Sequence, residues 1–484
     1  MQMRALASHY WKMSMKFVAS WLALWLPLVS GLAHAQVKDR TLLLDLQAHV
    51  EAEAEERLRF PLSDLQPTGI YAKRGETLHM EVGAFSAKHH LSARIGFHPV
   101  WDDRKPSQEM VLVPGRNTLQ ATASGPLYFV HHNHQGLRTG ADKLTVRVSG
   151  GTDIPLFELG KTDARQWRAQ VLARKDHPYV ELVSDRVIIT LPARDHVKNP
   201  IDDPKQTFDT IHRVLNAADQ LAGFDGSALI HTLGGNRYHF LVDEWAQPGD
   251  GFYMYATAFH LGLLPESVAD LVHPKRLKTQ WGTWHEIGHT HQQQPWTWED
   301  VVEVSVNLFS LKVQADFGQP SRLHDREYGA DGRRSQHSSY ALAARYLAQK
   351  DKRFSELNDP FVKLVMFDQL RQALGWDFYT QLFKAFRERY QSPDLKAKAE
   401  DMSDAEKINA FVWMSSQVAQ TNLLPFFGHW GLHPDQATVA RIQSQAWPPA
   451  SLEMAQWFGQ SGQRAGPSAR APTRSARAAT PPQR

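Results

Sequence analysis

"WGTWHEIGHTHQQQPWTWEDVVEVSVNLFSL" (Trp281–Leu311) sets three histidines within seven residues, places a glutamate after the first, and then runs on through acidic and apolar residues. The informative spacing is HEIGH. Residues four apart on a helix share a face, so His285 and His289 can offer ring nitrogens to one tetrahedral zinc ion. Glu286 then lies beside the metal, where its carboxylate can take a proton from a water whose pKa the metal lowers. Trp281, Trp284 and Ile287 suit a buried helix, in which polar side chains without partners are costly.

A catalytic zinc takes three protein ligands and keeps one position open. The sixth residue after His289 is Pro295, so the third ligand is sought in "EDVVEVSVNLFSL" (Glu299–Leu311). This stretch reads as a helix with Val302, Val306 and Phe309 on one side and Glu299, Glu303 and Asn307 on another. Glu299 falls in the first turn, where the helix dipole accounts for a carboxylate. Glu303 stands among Val301, Val302, Val304 and Val306, an apolar setting in which an ionised carboxylate needs a partner. Glu303 is the expected ligand, with Glu299 or Asp300 as fallbacks. His291 falls off the face of the pair and reads as a neighbour of the ligands or as exposed.

The 484 residues are 42% hydrophobic and 10% aromatic, enough for globular cores. Lysine and arginine number 54 against 51 acidic residues, and a net charge of +3 supplies no field for a nucleic-acid partner. The chain has no cysteine, which excludes disulfides and thiolate ligands and leaves histidine and carboxylate to hold a metal.

Residues 1–35 read as a cleavable export signal: Arg4, Lys12 and Lys16 precede "FVASWLALWLPLVSGLA", and "AHA" ends at Ala35. A secreted or periplasmic protein follows, with no later run apolar enough to span a membrane. Residues 36–62 form a segment expected to be helical from "LLLDLQAHVEAEAEERLRF" (Leu42–Phe60). Over 63–160, short β-forming runs such as "TLHMEVGAF" and "KLTVRVSGG" alternate with Gly, Pro and Asn turns, the pattern of an antiparallel β-sandwich. Residues 161–460 are mostly helical, with strands at "RVIITLP" (Arg186–Pro192) and "RYHFLVDE" (Arg237–Glu244). Asp359–Tyr390 carries two amphipathic segments broken at Gly375, and Asp404–Gln420 a further helix. Residues 461–484 read as a disordered Arg/Pro/Ala-rich tail. The fold class is α+β. His89, His90 and the "HHNH" of His131–His134 read as turn histidines facing solvent.

The opening stretch resembles the enhancin-type zinc metallopeptidases, peptidase family M-60, whose pattern is HExxH, a gap and a Glu in an EVxVN context. "PTGIYAKRGETLHMEV" (Pro67–Val82), "SGPLYFV" (Ser124–Val130), "GGTDIPLFELGKTD" (Gly150–Asp163) and "FVWMSSQVAQTNLLPFFGHWGL" (Phe411–Leu432) extend the resemblance. One departure is that "GDGFYMYATAFHLGLLP" (Gly249–Pro265) lacks the family's GYP run. The resemblance implies a zincin-type (gluzincin) catalytic domain with one Zn²⁺ per chain, held by His285, His289 and Glu303, and with Glu286 as general base. It also implies an exported endopeptidase acting on O-glycosylated, mucin-like proteins; separately, a monomer is expected. Tyr253, Tyr255 and Tyr328 are candidate oxyanion donors, although burial in a core explains each as well. Trp281, Trp284, Trp296 and Trp298 could form a platform for a sugar ring, with at least two expected in the core. Trp284, Tyr255 and Tyr328 are the named candidates for substrate contact. Two other readings stay open: a zinc endopeptidase with no glycan requirement, and a glycan-binding or adhesive module without catalysis. The intact Glu286 argues against the second.

Overall fold

The computed structural model describes residues 39–47, 58–98, 107–133, 143–174, 176–244, 253–325 and 336–451. The expected signal peptide and tail lie outside them. "TLHMEV" (Thr77–Val82) and most of "KLTVRVS" (Lys143–Ser149) alternate exposed and buried residues. Leu78, Met80, Val82, Leu144, Val146 and Val148 therefore project to one face and are buried there. Their sheet runs Arg40–Asp45, Lys143–Ser149, Thr77–Val82, Gly115–Gln120. A second sheet runs Gln108–Val111, His89–Ile95, Gly125–Asn133, Gln66–Ala72, Thr152–Asp153. All pairings in both are antiparallel, and the two inner faces share one core, as in a β-sandwich.

The helix expected from Leu42 begins instead as the strand Arg40–Asp45, in register with Val148–Lys143. Sheet pairing and the burial of Leu44 outweigh the helix propensity of a leucine run. The rest of that expectation falls largely on 48–57, outside the described residues.

In "GPLYFVHHN" (Gly125–Asn133) the first eight residues are all buried. Leu127 and Phe129 enter the sandwich core, while Tyr128 and Val130 turn outward to meet Leu65, Phe97, Ile188 and Leu241. Burial on both faces explains the unbroken apolar run. It also corrects the reading of the histidines. His90 and His132 stack across strands, centroids 4.9 Å apart, and His131, only 1% exposed, packs edge-on against His89. His134 lies outside the described residues.

Through Tyr128 and Val130 the sandwich is mounted on a six-stranded mixed sheet, ordered Leu156–Glu158, Tyr179–Val183, Val187–Pro192, Tyr238–Val242, His260–Leu263, Met254–Thr257. Only two of these strands were legible. The others are three to five residues long, too short to show a period. Helices Pro204–Ala222, Trp281–His291 and Asn307–Asp316 pack together beside the sheet. Pro360–Leu374 and Trp376–Arg389 are separated at Gly375, whose φ of 82° stops the first helix. Asp404–Ala419 opens on a capping box between Ser403 and Glu406. Among the described residues no helix is long and apolar enough to cross a membrane.

The mount carries a titratable group. Tyr128 donates its hydroxyl hydrogen to Glu181 Oε1 at 2.5 Å and Thr190 donates at 3.2 Å. Burial nevertheless pushes the fully buried Glu181 carboxyl from 4.5 up to about 7. Between those two pH values the folded chain holds a proton that the unfolded chain has released, so stability falls as pH rises through this window and then levels off. At about 1.4 kcal/mol per pH unit the loss is roughly 3 kcal/mol. Glu181→Gln should remove that part of the slope in urea unfolding at pH 5 and pH 8. A variant with the parent's full slope would show that Glu181 does not carry it.

Candidate metal centre

HEIGH lies in the helix Trp281–His291, whose Trp284 and Ile287 are each 1% exposed and fix the buried face. His285 and His289 come out on the opposite side, ring centroids 4.6 Å apart. Gly288 lets the next segment approach: a Cβ there would stand 2.8 Å from the Val306 carbonyl oxygen and 2.9 Å from Val306 Cγ2. A helix-interior glycine costs about 1 kcal/mol relative to alanine, and close approach of the backbones is what it permits. The stretch read as one helix from Glu299 is broken into a 3₁₀ turn at Glu299–Val301, a single α-turn at Val302–Ser305 and the helix Asn307–Asp316.

On that single turn Glu303 faces the histidines. Its Oε2 lies 3.0 Å from His285 Nε2 and 3.6 Å from His289 Nε2. Ligand atoms about 2.0–2.1 Å from a tetrahedral zinc are roughly 3.3 Å from one another, so the three atoms fit such an ion. Among the described residues this is the one cluster of three or more such side chains whose ligand atoms lie within 4.8 Å of one another. Glu299 and Asp300 are not in it. The argument that selected Glu303 needs correction, because its side chain is 63% exposed. Val301, Val304 and Val306 are buried by pointing elsewhere, and Glu303 projects toward solvent.

The other ring nitrogen of each histidine is held by an amide whose orientation is determined. Asn307 Nδ2 donates to the Glu303 carbonyl at 2.8 Å, and a carbonyl can only accept. Asn307 Oδ1 must therefore face His285 Nδ1, at 2.8 Å, and it also accepts from Trp281 Nε1. Gln292 repeats the arrangement: Nε2 donates to the Val302 carbonyl at 2.7 Å and to Ser305 Oγ at 2.9 Å, leaving Oε1 for His289 Nδ1 at 2.9 Å. Both histidines thus carry hydrogen on Nδ1, which leaves Nε2 as the atom that faces Glu303 and is available to a metal. Sequence reasoning placed Asn307 on Glu303's side of the helix without giving it this task, and it missed Gln292 entirely.

The charges agree with this geometry. Hydrogen bonds from His285 and His289 hold the Glu303 carboxyl far below its usual range. Burial pushes His285 down, but Glu303, Glu286 and Asn307 together carry it above its ordinary value. Burial raises the Glu286 carboxyl, with the two histidines opposing that shift. The Ala256 backbone hydrogen-bonds to Glu286, tying it to the outermost strand of the mixed sheet.

The remaining candidates lie elsewhere. Trp284 is core: its Nε1 donates to the Leu277 carbonyl. Trp296 and Trp298 are also buried, and Trp281 is half-buried beneath the Arg322 guanidinium. Tyr255 follows Met254, whose sulfur accepts from Thr283 of the HEIGH helix, so strand alternation sends Tyr255 to the other face. There its ring covers Gly262 and its hydroxyl donates to Asp243. Tyr253 is tied to Asp270, and Tyr328 lies outside the described residues. His291 is neither exposed nor turned to the metal face. It is buried, with Nε2 3.1 Å from Asp219 Oδ1 on the helix Pro204–Ala222.

The family model described as peptidase M60, enhancin and enhancin-like, matches residues 150–431, more than half of the 484. The chain belongs to the peptidase M60 family. This M60 chain is 24% identical over 392 residues to human TRPM8 channel-associated factor 2, a match covering 77% of the chain and 38% of the factor. A conserved protein of unknown function from Bacillus anthracis str. Ames superposes with a TM-score of 0.74 at 29% identity, over 86% of this chain and 81% of that one. A metallopeptidase in complex with Tn antigen superposes with a TM-score of 0.67 at 20% identity, over 86% of this chain and 79% of the other, and so shares the fold. M60 membership supports a metallopeptidase and implies a metal.

Proposed function

We propose that the M60 chain is an exported, zinc-dependent endopeptidase that hydrolyses peptide bonds in O-glycosylated, mucin-like proteins. The observation that carries this is the convergence of His285 Nε2, His289 Nε2 and Glu303 Oε2, with Glu286 on the same helix beside them. A zinc ion held there would supply Lewis acidity to the scissile carbonyl and to a bound water. Glu286, whose carboxyl burial raises above its ordinary value, would accept the water's proton as carboxylate and return it to the leaving nitrogen. Asn307 and Gln292 hold the histidines still while the charge changes beside them. Met254–Thr257 is the last strand of its sheet among the described residues, so an extended substrate can lie along its free side next to Glu286.

A base has no use at a purely structural metal site, which weighs against a module that only binds. The glycan requirement rests on the family resemblance and on the similar metallopeptidase found with Tn antigen. Its test compares one peptide with and without a single GalNAc on serine or threonine. The expected result is cleavage of the glycosylated form at a rate at least about tenfold higher, equivalent to about 1.4 kcal/mol of transition-state binding. Equal rates would favour a zinc endopeptidase indifferent to glycans.

A further inference from the structure

Arg59 stands outside the residues matched by the family model and 233 positions before Gln292, yet its Nη1 donates to Gln292 Oε1. Its backbone N–H donates to the Thr290 carbonyl at 2.8 Å, one of the carbonyls left over at the end of the HEIGH helix. Burial pushes the Arg59 guanidinium below its ordinary value, with the nearby Glu303 carboxylate opposing that shift, and the C-terminal end of the helix dipole also favours a cation. Gln292 is then satisfied on every side: Nε2 gives its two hydrogens to Val302 and Ser305, and Oε1 accepts from His289 and Arg59.

We propose that Arg59 is a positioning residue of the metal centre, acting through the Gln292 amide to hold His289 with its Nε2 toward the metal. Gln292 is the residue at which the helix ends, with φ −59° and ψ 147°, so its backbone no longer shares the helix's rigidity. A charge-assisted hydrogen bond from Arg59 fixes the oxygen of the buried amide against rotation. Hydrogen-bond partners of metal-bound histidines characteristically contribute about 10–100-fold to metal affinity. Arg59, which lies in the chain between the sandwich strands Arg40–Asp45 and Gln66–Ala72, thereby supports the metal centre.

This inference rests on the metallopeptidase reading, and its test separates the two. Zinc affinity of the full chain is measured at neutral pH by competition with a chromophoric chelator, alongside the melting temperature of the zinc-free protein. Arg59→Met should weaken zinc binding about tenfold and Gln292→Leu by more, up to about a hundredfold, with Arg59→Lys recovering part of the loss. Adding Arg59→Met to Gln292→Leu should produce no further weakening, because the link is already cut. Parental zinc affinity in Arg59→Met overturns the proposal. So does an additive double variant, or a loss that follows a fall in zinc-free melting temperature, since either marks a merely structural role. A parent that takes up no zinc contradicts the metal reading itself.

Discussion

Glu286→Ala is expected to retain the parent's zinc content and to lower peptide-bond cleavage by a factor on the order of 10³–10⁴. Glu286 touches neither Nε2 atom of the proposed ligand pair in a way that would hold an ion, since the converging atoms belong to His285, His289 and Glu303. Its proposed contribution is to accept and return a proton, and burial raises its carboxyl above the ordinary value, which strengthens it as a base. The loss should appear in kcat, with KM little changed, because substrate contacts are left in place. Metal analysis of the purified variant and steady-state rates on one substrate check both halves. A variant that cuts like the parent removes Glu286 from the mechanism.

Glu303→Ala should behave differently, losing metal and activity together. Removing one ligand of three leaves two imidazoles with no carboxylate between them, and affinity should fall by more than the roughly hundredfold seen for loss of a supporting hydrogen bond. The Glu303 side chain is largely exposed, so the fold should survive the substitution. Glu299→Ala is the control. Its backbone N–H meets Asp404 and the residue stands outside the ligand cluster, so metal content and rate should match the parent. Zinc retained by Glu303→Ala at parental stoichiometry would remove it from the ligand set.

The residues that were legible from sequence are those whose placement is written in local spacing. HEIGH needs only one helical turn to bring two rings together, and the period-two runs of the sandwich mark its inner face without any knowledge of its partner. Glu303 does converge on the two histidines, but the argument that selected it does not hold. A run of valines does not reveal which side of a short helix faces solvent, and the carboxylate is exposed where burial was assumed. Trp284 and Tyr255 illustrate a different ambiguity: an aromatic next to a motif serves a core as readily as a binding face, and only the hydrogen bonds to Leu277 and Asp243 decide.

The supports of the site were illegible because they are distant or indirect. Gln292 is one of three consecutive glutamines, and nothing local distinguishes it from Gln293 or Gln294. Its role follows from the Val302 carbonyl, which fixes the amide's direction. Arg59 reaches the centre from the sandwich side of the chain, a contact of high sequence separation that no window of pattern can contain. The buried pairing of His291 with Asp219 is of the same kind.

The central claim is most directly tested by mass spectrometry of the products formed when the zinc-loaded chain is incubated with a defined peptide bearing one GalNAc. The account predicts two fragments whose masses sum to that of the substrate plus one water, with the sugar retained and the new terminus beside the glycosylated residue. An intact peptide, or a product that has lost the sugar with its backbone uncut, would contradict it.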